Sequence, residues 1–455
     1  MAGSSQHAHW SSRWTFLLAA VGSAVGLGNI WKFPYEAGEG GGGAFVLVYL
    51  AFVFAVGLPV LIAELSLGRR GQLSPIGSMA KIANEEGRSK AWGLIGWSGV
   101  VGGFIVISFY SVVGGWVLAY LIKAMSGFSG YDAAMSTQTF GTFVADPANP
   151  IIAHFAFLAI TIGIVARGVT GGLEKAVTFL MPALFVLLVG MMIYSGITGD
   201  FGAAVNFLFN PDFAKLTVET VLQALGLAFF SLSLALGSIM TYGSYLTKDM
   251  NIPRSAVIIA AADSGVALMA GLAIFPIVFA FGLEPGQSVG LVFTTLPIAF
   301  GQMTGGAIVG TMFFFLLTVA AVTSAISLLE PAVSYIEERT GIDRKKVAVY
   351  IGAAAFALGT LSAWGQGGNL LGDIKIFGLD FMSFKDYITN NILMPLGGMF
   401  IAIFVGWFVS RKNMMEELAM EEGTFKLWLF LVRFVCPVAI GAVFVSILYN
   451  TLIAG

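Results

Sequence analysis

The chain has 455 residues, is 57% hydrophobic and 11% charged, and carries a formal net charge of −2. A soluble protein has roughly 25% charged residues, so the composition excludes a sizeable soluble domain, and the near-neutral balance argues against a nucleic-acid partner. The single cysteine, Cys436, lies in an apolar run; it rules out a disulfide framework and reads as a small buried hydrophobe.

Apolar runs of about 20 residues, enough to cross ~30 Å of hydrocarbon, recur along the chain. They predict eleven spans, at 13–38, 43–69, 91–124, 151–167, 174–197, 217–246, 255–283, 305–338, 347–364, 385–410 and 427–452. Met1 to Ser12 has no basic stretch followed by a short apolar core, so no signal peptide is expected. Of the 23 basic residues, all but Lys32, Lys123, Lys215, Lys375 and Lys385 fall on the side of the N-terminus. That bias places the N-terminus in the cytoplasm and the C-terminus outside an inner (plasma) membrane.

The first span is interrupted at Gly22-Ser23-Ala24-Val25-Gly26-Leu27-Gly28-Asn29. Each glycine weakens a helix interior by ~1 kcal/mol relative to alanine, and a membrane tolerates unwound backbone only where it is buried in protein or lines a cavity. The sixth span is broken in the same way at Ser231-Leu232-Ser233-Leu234-Ala235-Leu236-Gly237-Ser238. Five spans separate the breaks, so the two halves run in opposite directions, and paired breaks in inverted halves point to a transport site at mid-membrane. Two flexible helices packed through small residues are the simpler alternative. An acid, Asp263, stands inside the apolar seventh span, where an ionisable group is costly and functional by default. No His/Cys/Asp/Glu cluster with metal spacing, nucleophile motif or phosphate loop suggests an enzyme.

These residues carry a specific resemblance. Trp10 to Tyr35, with GSAVGLGN and NIWKFPY, resembles the first helix of the neurotransmitter:sodium symporter family, and FFSLSLALGSIMTYGSYL, LTVAAVTSAISLLEP and KDYITNNILMP extend the match along the chain. The resemblance implies an all-α polytopic membrane protein with a five-plus-five inverted repeat (the LeuT-type fold). Residues 13–200 would form the first repeat, 213–411 the second, and 424–455 an eleventh span and C-terminus, after a cytoplasmic segment 1–12. It implies sodium-coupled import of hydrophobic, aliphatic and aromatic L-amino acids by alternating access, with no organic cofactor. A proton-coupled transporter of the same fold and a non-transporting amino-acid sensor remain open.

By the same resemblance, the first sodium would meet Ala24, Asn29, Ser231 and Asp263. The second would meet Gly22, Val25, Ala320, Thr323 and Ser324. Asp263 supplies a fixed charge where the family usually has asparagine, and Ala267 stands where chloride-dependent members have serine; both imply chloride independence. Amine transporters of the family carry aspartate at the position of Gly26, so a substrate here should bring its own carboxylate. The substrate site maps to Ala24, Gly26, Leu27, Gly28, Val106, Tyr110, Phe230, Ser231, Ser233, Leu236, Ser324 and Leu328. Leu236 replaces a phenylalanine and implies a roomier pocket. Lys32 and Asp386 would gate the outside. Trp10, Tyr245, Ser244 and Glu338 would latch the inside, with His7 in place of a basic residue. Glu64 is expected to brace the sixth span or to pair with Arg69 or Arg70. Gly172 and Pro182 would bend the fifth span or let it unwind.

Overall fold

The computed structural model describes residues 9–283 and 290–449, and His7 lies outside them. Eight helices are long and apolar enough to cross a membrane unbroken: Gly43–Gly71, Lys90–Met125, Val169–Thr198, Ile252–Ala280, Gly306–Thr340, Arg344–Trp364, Phe381–Phe408 and Glu422–Ser446. Numbered with the three remaining elements, they are spans 2, 3, 5, 7, 8, 9, 10 and 11. Span 1 is two helices, Arg13–Ala24 and Gly28–Glu39, set at 47° to each other. Span 4 is Asn149–Val165, and span 6 is Val218–Ser231 followed by Ser238–Ser244. Span 8 is the most enclosed; spans 5 and 11 turn most of their surface outward.

Both expected interruptions are present. The first helix of span 1 stops where Val25 turns extended (ψ 102°). In span 6 the chain passes through left-handed backbone at Ser233 (φ 53°), Ala235 (φ 61°) and Gly237 (φ 77°). Only glycine adopts that region freely; for other residues it costs roughly 1–2 kcal/mol each. Span 5 is helical through both Gly172 and Pro182, with a widened π turn at Val169–Leu173. Gly172 is forced by packing, since a methyl there would stand 2.0 Å from the Ile164 carbonyl oxygen.

Short helices Pro75–Glu85, Ala133–Ala145, Phe201–Phe209, Leu291–Gln302 and Arg411–Leu418 join the spans. Hydropathy alone does not set these apart from plain connections. Capping residues mark three of them: Ser74, Asp132 and Asp200 accept the backbone N–H of Gly77, Met135 and Ala203, the usual role of a helix N-cap.

Glycines bring the second half of span 6 against span 2. A methyl at Gly68 would lie 2.0 Å from the Met240 carbonyl oxygen, and one at Gly243 would lie 2.7 Å from that of Leu65. Both obstacles are backbone and cannot swing aside. Gly68→Ala is therefore expected to lower the thermal unfolding midpoint in detergent, by an overpacking cost of about 1–3 kcal/mol. Gly163→Ala in span 4, which meets nothing within 4 Å, should leave the midpoint unchanged or raise it. Equal midpoints for the two variants would contradict this packing.

Candidate transport site

The two breaks face each other across a central cavity of about 20 Å³, close to what one water needs. All twelve expected substrate-site residues line it, together with Ser23. Gly26 sits against Tyr110 and Ser324: a methyl there would stand 2.4 Å from the Ser324 hydroxyl and 3.1 Å from the Tyr110 hydroxyl. The Leu27 N–H points at the Tyr110 oxygen, 3.4 Å away, so the start of the second half-helix is aimed into the cavity. Such a terminus favours an anion.

Beside it, Asp263 is fully buried and surrounded by donors. Asn29 Nδ2 donates to Oδ1 at 2.7 Å, and the hydroxyls of Ser231 and Tyr49 reach Oδ2 at 3.0 and 3.2 Å. Asn29 also accepts the Gly26 N–H at 3.1 Å, which ties the break in span 1 to the acid in span 7. Among the described residues no basic side chain pairs with Asp263. Tyr49, on span 2, was not singled out from the sequence; its only signal is a lone polar tip inside GAFVLVYLAF.

On the far side of span 1, the Ser324 hydroxyl lies 3.3 Å from the carbonyl oxygens of both Gly22 and Val25. Thr323 turns back to its own helix, donating to Ala320 O at 3.0 Å and Val319 O at 3.2 Å. Its Cβ nevertheless faces Gly22, at 3.3 Å from where a side chain would begin. The five expected residues of the second sodium site are thus neighbours. Groups of three or more His, Cys, Asp or Glu suited to a tight metal site are absent among the described residues, and carbonyls with hydroxyls are the ligands a hard monovalent cation takes.

Glu64 braces the break in span 6: Oε1 accepts the Ala235 N–H at 2.6 Å. The alternative pairings are taken elsewhere, because Arg69 binds Glu417 and Arg70 binds Glu85 and Glu86. Ser233 adds a bond to Ser23 O at 2.7 Å.

The face bearing the N-terminus is closed. Trp10 donates through Nε1 to Tyr242 O at 3.0 Å and packs edge-on against Tyr242 and Tyr245. Tyr245 donates to Glu330 Oε1 at 2.7 Å, and Glu330 pairs with Arg344 at 2.5 Å. Arg344 also holds Glu337 and the Val165 carbonyl. Two expectations change here. Glu338 does not reach Tyr245; it accepts the Ser74 N–H at 2.6 Å and so holds the start of the helix Pro75–Glu85. Among the described residues the Ser244 hydroxyl bonds back to Thr241 O within its own helix. Glu174 ties down the N-terminal segment, accepting from Ser11 N at 2.6 Å and Ser11 Oγ at 2.8 Å.

On the opposite face a vestibule of about 370 Å³ leads inward to Tyr110 and Phe230, which also line the central cavity. Phe230 covers Gly28, and the Lys32 ammonium stands 5.0 Å from its ring centroid. Lys32 and Asp386 both line the vestibule but form no ion pair. Lys32 pairs with Glu36, one turn along its own helix, at 3.8 Å, while Asp386 accepts from Asn390 at 2.6 Å.

A profile for the Sodium:neurotransmitter symporter family matches residues 7–140 and 138–453. The chain belongs to that family. It is 39% identical over 444 residues to the sodium-dependent transporter YhdH of Bacillus subtilis, covering 96% of this chain and 97% of the relative. A sodium-dependent transporter of Haemophilus influenzae is 35% identical, covering 98% of this chain and 99% of the relative. The crystal structure of MhsT in complex with L-phenylalanine superposes with a TM-score of 0.90 at 42% identity, over 96% of this chain and 99% of that one. The protein is accordingly a sodium-dependent secondary transporter with the LeuT-type fold, and not an enzyme.

The closed face yields a test. Glu330→Gln leaves the Arg344 guanidinium with Glu337 as its one acidic partner, beside the Val165 carbonyl. Removing one partner of a buried pair costs about 3–5 kcal/mol, and the remaining partner puts the expected loss at the low end. Glu338→Gln disturbs only a helix start, worth about 0.5–2 kcal/mol. Thermal unfolding of the two variants should show the larger drop for Glu330→Gln; the reverse order would return Glu338 to the latch.

Proposed function

We propose that the protein imports hydrophobic L-amino acids with sodium, and that it does so without chloride. The observation that carries this reading is the absence of a side chain at Gly26: the start of the second half-helix, whose Leu27 N–H is held only by a long contact to Tyr110, and the hydroxyls of Tyr110 and Ser324 converge there, and among the described residues no charged side chain lines the cavity. A substrate there brings a carboxylate to the terminus and an apolar side chain toward Val106, Leu236 and Leu328. The phenylalanine bound to MhsT has that chemistry. Burying an aliphatic or aromatic side chain contributes roughly 1.5–3 kcal/mol.

In this reading one sodium sits between Ala24, Asn29, Ser231 and Asp263, and exchanges the Asn29–Asp263 hydrogen bond for oxygen–cation contacts. The second sits among Gly22, Val25, Ala320, Thr323 and Ser324. The Asp263 carboxylate takes the place of an anion, and Ala267, a turn away, offers no hydroxyl to hold chloride. The basic face is cytoplasmic, in an inner membrane, so the 370 Å³ vestibule opens outward. Loading a substrate requires Phe230 to leave Gly28 and Tyr110 to release Leu27. Release inward requires Trp10 to leave Tyr242 and Tyr245.

The deciding experiment is uptake of labelled phenylalanine, leucine and tryptophan into proteoliposomes. Transport should follow an inward sodium gradient and be unchanged when gluconate replaces chloride. Uptake driven by a proton gradient without sodium would favour the proton-coupled alternative. Binding without flux would favour a sensor.

Gly26→Ala probes the link between substrate and ion. Its methyl displaces the Ser324 hydroxyl from the carbonyls of Gly22 and Val25, so a higher sodium concentration should be needed for half-maximal uptake. An unchanged sodium dependence would separate Ser324 from the ion site.

Leu236→Phe probes pocket size. The added ring occupies space that an indole or phenyl would use, and overpacking a tight site costs about 1–3 kcal/mol, roughly 5- to 150-fold in affinity. Competition binding should show tryptophan losing more than valine. An equal loss would mean that Leu236 does not face the substrate side chain.

A further inference from the structure

A second cavity lies away from the transport path, on the lipid side of spans 3 and 10. It is a groove of about 380 Å³ walled by Leu94, Ile95, Ser98, Leu396, Gly397 and Phe400, within the ~300–1,000 Å³ range of small-ligand sites. Leu94 is 68% and Phe400 42% exposed, so the groove opens sideways into the hydrocarbon. Toward the N-terminal face its mouth is framed by Trp92, packed on the rings of Phe404 and Phe408 at 5.0 and 4.7 Å. Aromatic side chains of this kind sit at the headgroup level of a bilayer.

The rim is basic. Arg88 and Lys90 are both exposed, and neither forms an ion pair among the described residues. The Arg88 guanidinium lies over the Phe408 ring at 5.5 Å and donates Nε to Phe408 O at 3.3 Å, which holds it beside the mouth. The nearest acids in sequence, Glu85 and Glu86, both pair with Arg70 and not with Arg88 or Lys90, so the three cations still outnumber the two carboxylates. An apolar slot with paired cations at its interfacial end fits an anionic amphiphile.

We propose that this groove is a binding site for one anionic phospholipid of the leaflet on the N-terminal face, with an acyl chain against Gly397 and Phe400 and the phosphate met by Arg88 and Lys90. The site backs directly onto the break in span 6. A methyl at Gly397 would stand 2.9 Å from the Cβ of Ala235, the left-handed residue whose N–H is held by Glu64. A lipid chain in the groove therefore supports span 10 one residue away from that break. This inference does not depend on which substrate is carried.

The test is native mass spectrometry of the delipidated full chain, titrated with phosphatidylglycerol and with phosphatidylcholine of the same acyl chains. Wild type should retain one phosphatidylglycerol in preference to phosphatidylcholine. A juxtamembrane basic residue contributes about 1 kcal/mol toward anionic lipid, or about fivefold. The exposed pair Arg88→Gln with Lys90→Gln should thus lose the preference by about thirtyfold without disturbing the packed helices. Ser98→Phe, which fills the slot, should lower retention of both lipids. Wild-type retention that ignores the headgroup, or a preference that survives the rim variant, would overturn the proposal.

Discussion

Backbone groups freed at mid-membrane depth must find partners inside the protein, because lipid offers none and each unsatisfied group costs several kcal/mol. Much of the bundle is arranged to meet that need. In span 6, the strained turn through Ser233 and Ala235 persists because Glu64 from span 2 takes the Ala235 N–H, Ser233 reaches Ser23 O in span 1, and Ser238 reaches Ser327 O in span 8. In span 1, Asn29 takes the Gly26 N–H and Ser324 supplies a hydroxyl to the Gly22 and Val25 carbonyls. The breaks are therefore held by three neighbouring spans as well as by their own sequence.

The side chains that satisfy the breaks are also those we propose to meet cations and substrate. Asn29 spans Gly26 N and the Asp263 carboxylate, and Ser324 lies both on the central cavity and on the carbonyls behind it. A ligand that changes the partners of either one changes the support of the backbone break. Coupling of this kind is reciprocal: what the ion does for the substrate, the substrate does for the ion. On the proposed assignment no relay is needed between the sites, since one hydroxyl and one amide would belong to both.

The sequence was legible where chemistry conflicted with an apolar helix. Glycines with an asparagine in span 1, serines with a glycine in span 6 and an acid in span 7 are each out of place in hydrocarbon, and the structure brings all three together. Features that depend on pairing across the fold were not legible. Glu330 and Glu338 lie on one helix, about 80° apart around it at 3.6 residues per turn, so spacing alone could not say which one faces Tyr245; Arg344, on the next span, decides it. Tyr49 and Glu174 acquire meaning only beside Asp263 and Ser11. The connecting helices were missed because hydropathy marks spans and says little about short capped segments between them.

The vestibule follows the same logic of local contacts. Lys32 is a point charge without the planar fork of arginine, and Glu36 stands one turn along the same helix, where an i,i+4 pair forms without any movement of the bundle. Asp386 is likewise occupied by Asn390, one turn along span 10. An ion pair between Lys32 and Asp386 could form alongside both local contacts, since the ammonium has three N–H donors and the carboxylate a second oxygen. The Lys32–Glu36 contact is long, at 3.8 Å, and joins a lysine whose side chain is 26% exposed to a buried glutamate. Whether Lys32 and Asp386 meet depends on how closely span 10 approaches span 1, and Phe230, seated on Gly28 beneath the Lys32 ammonium, stands between vestibule and cavity.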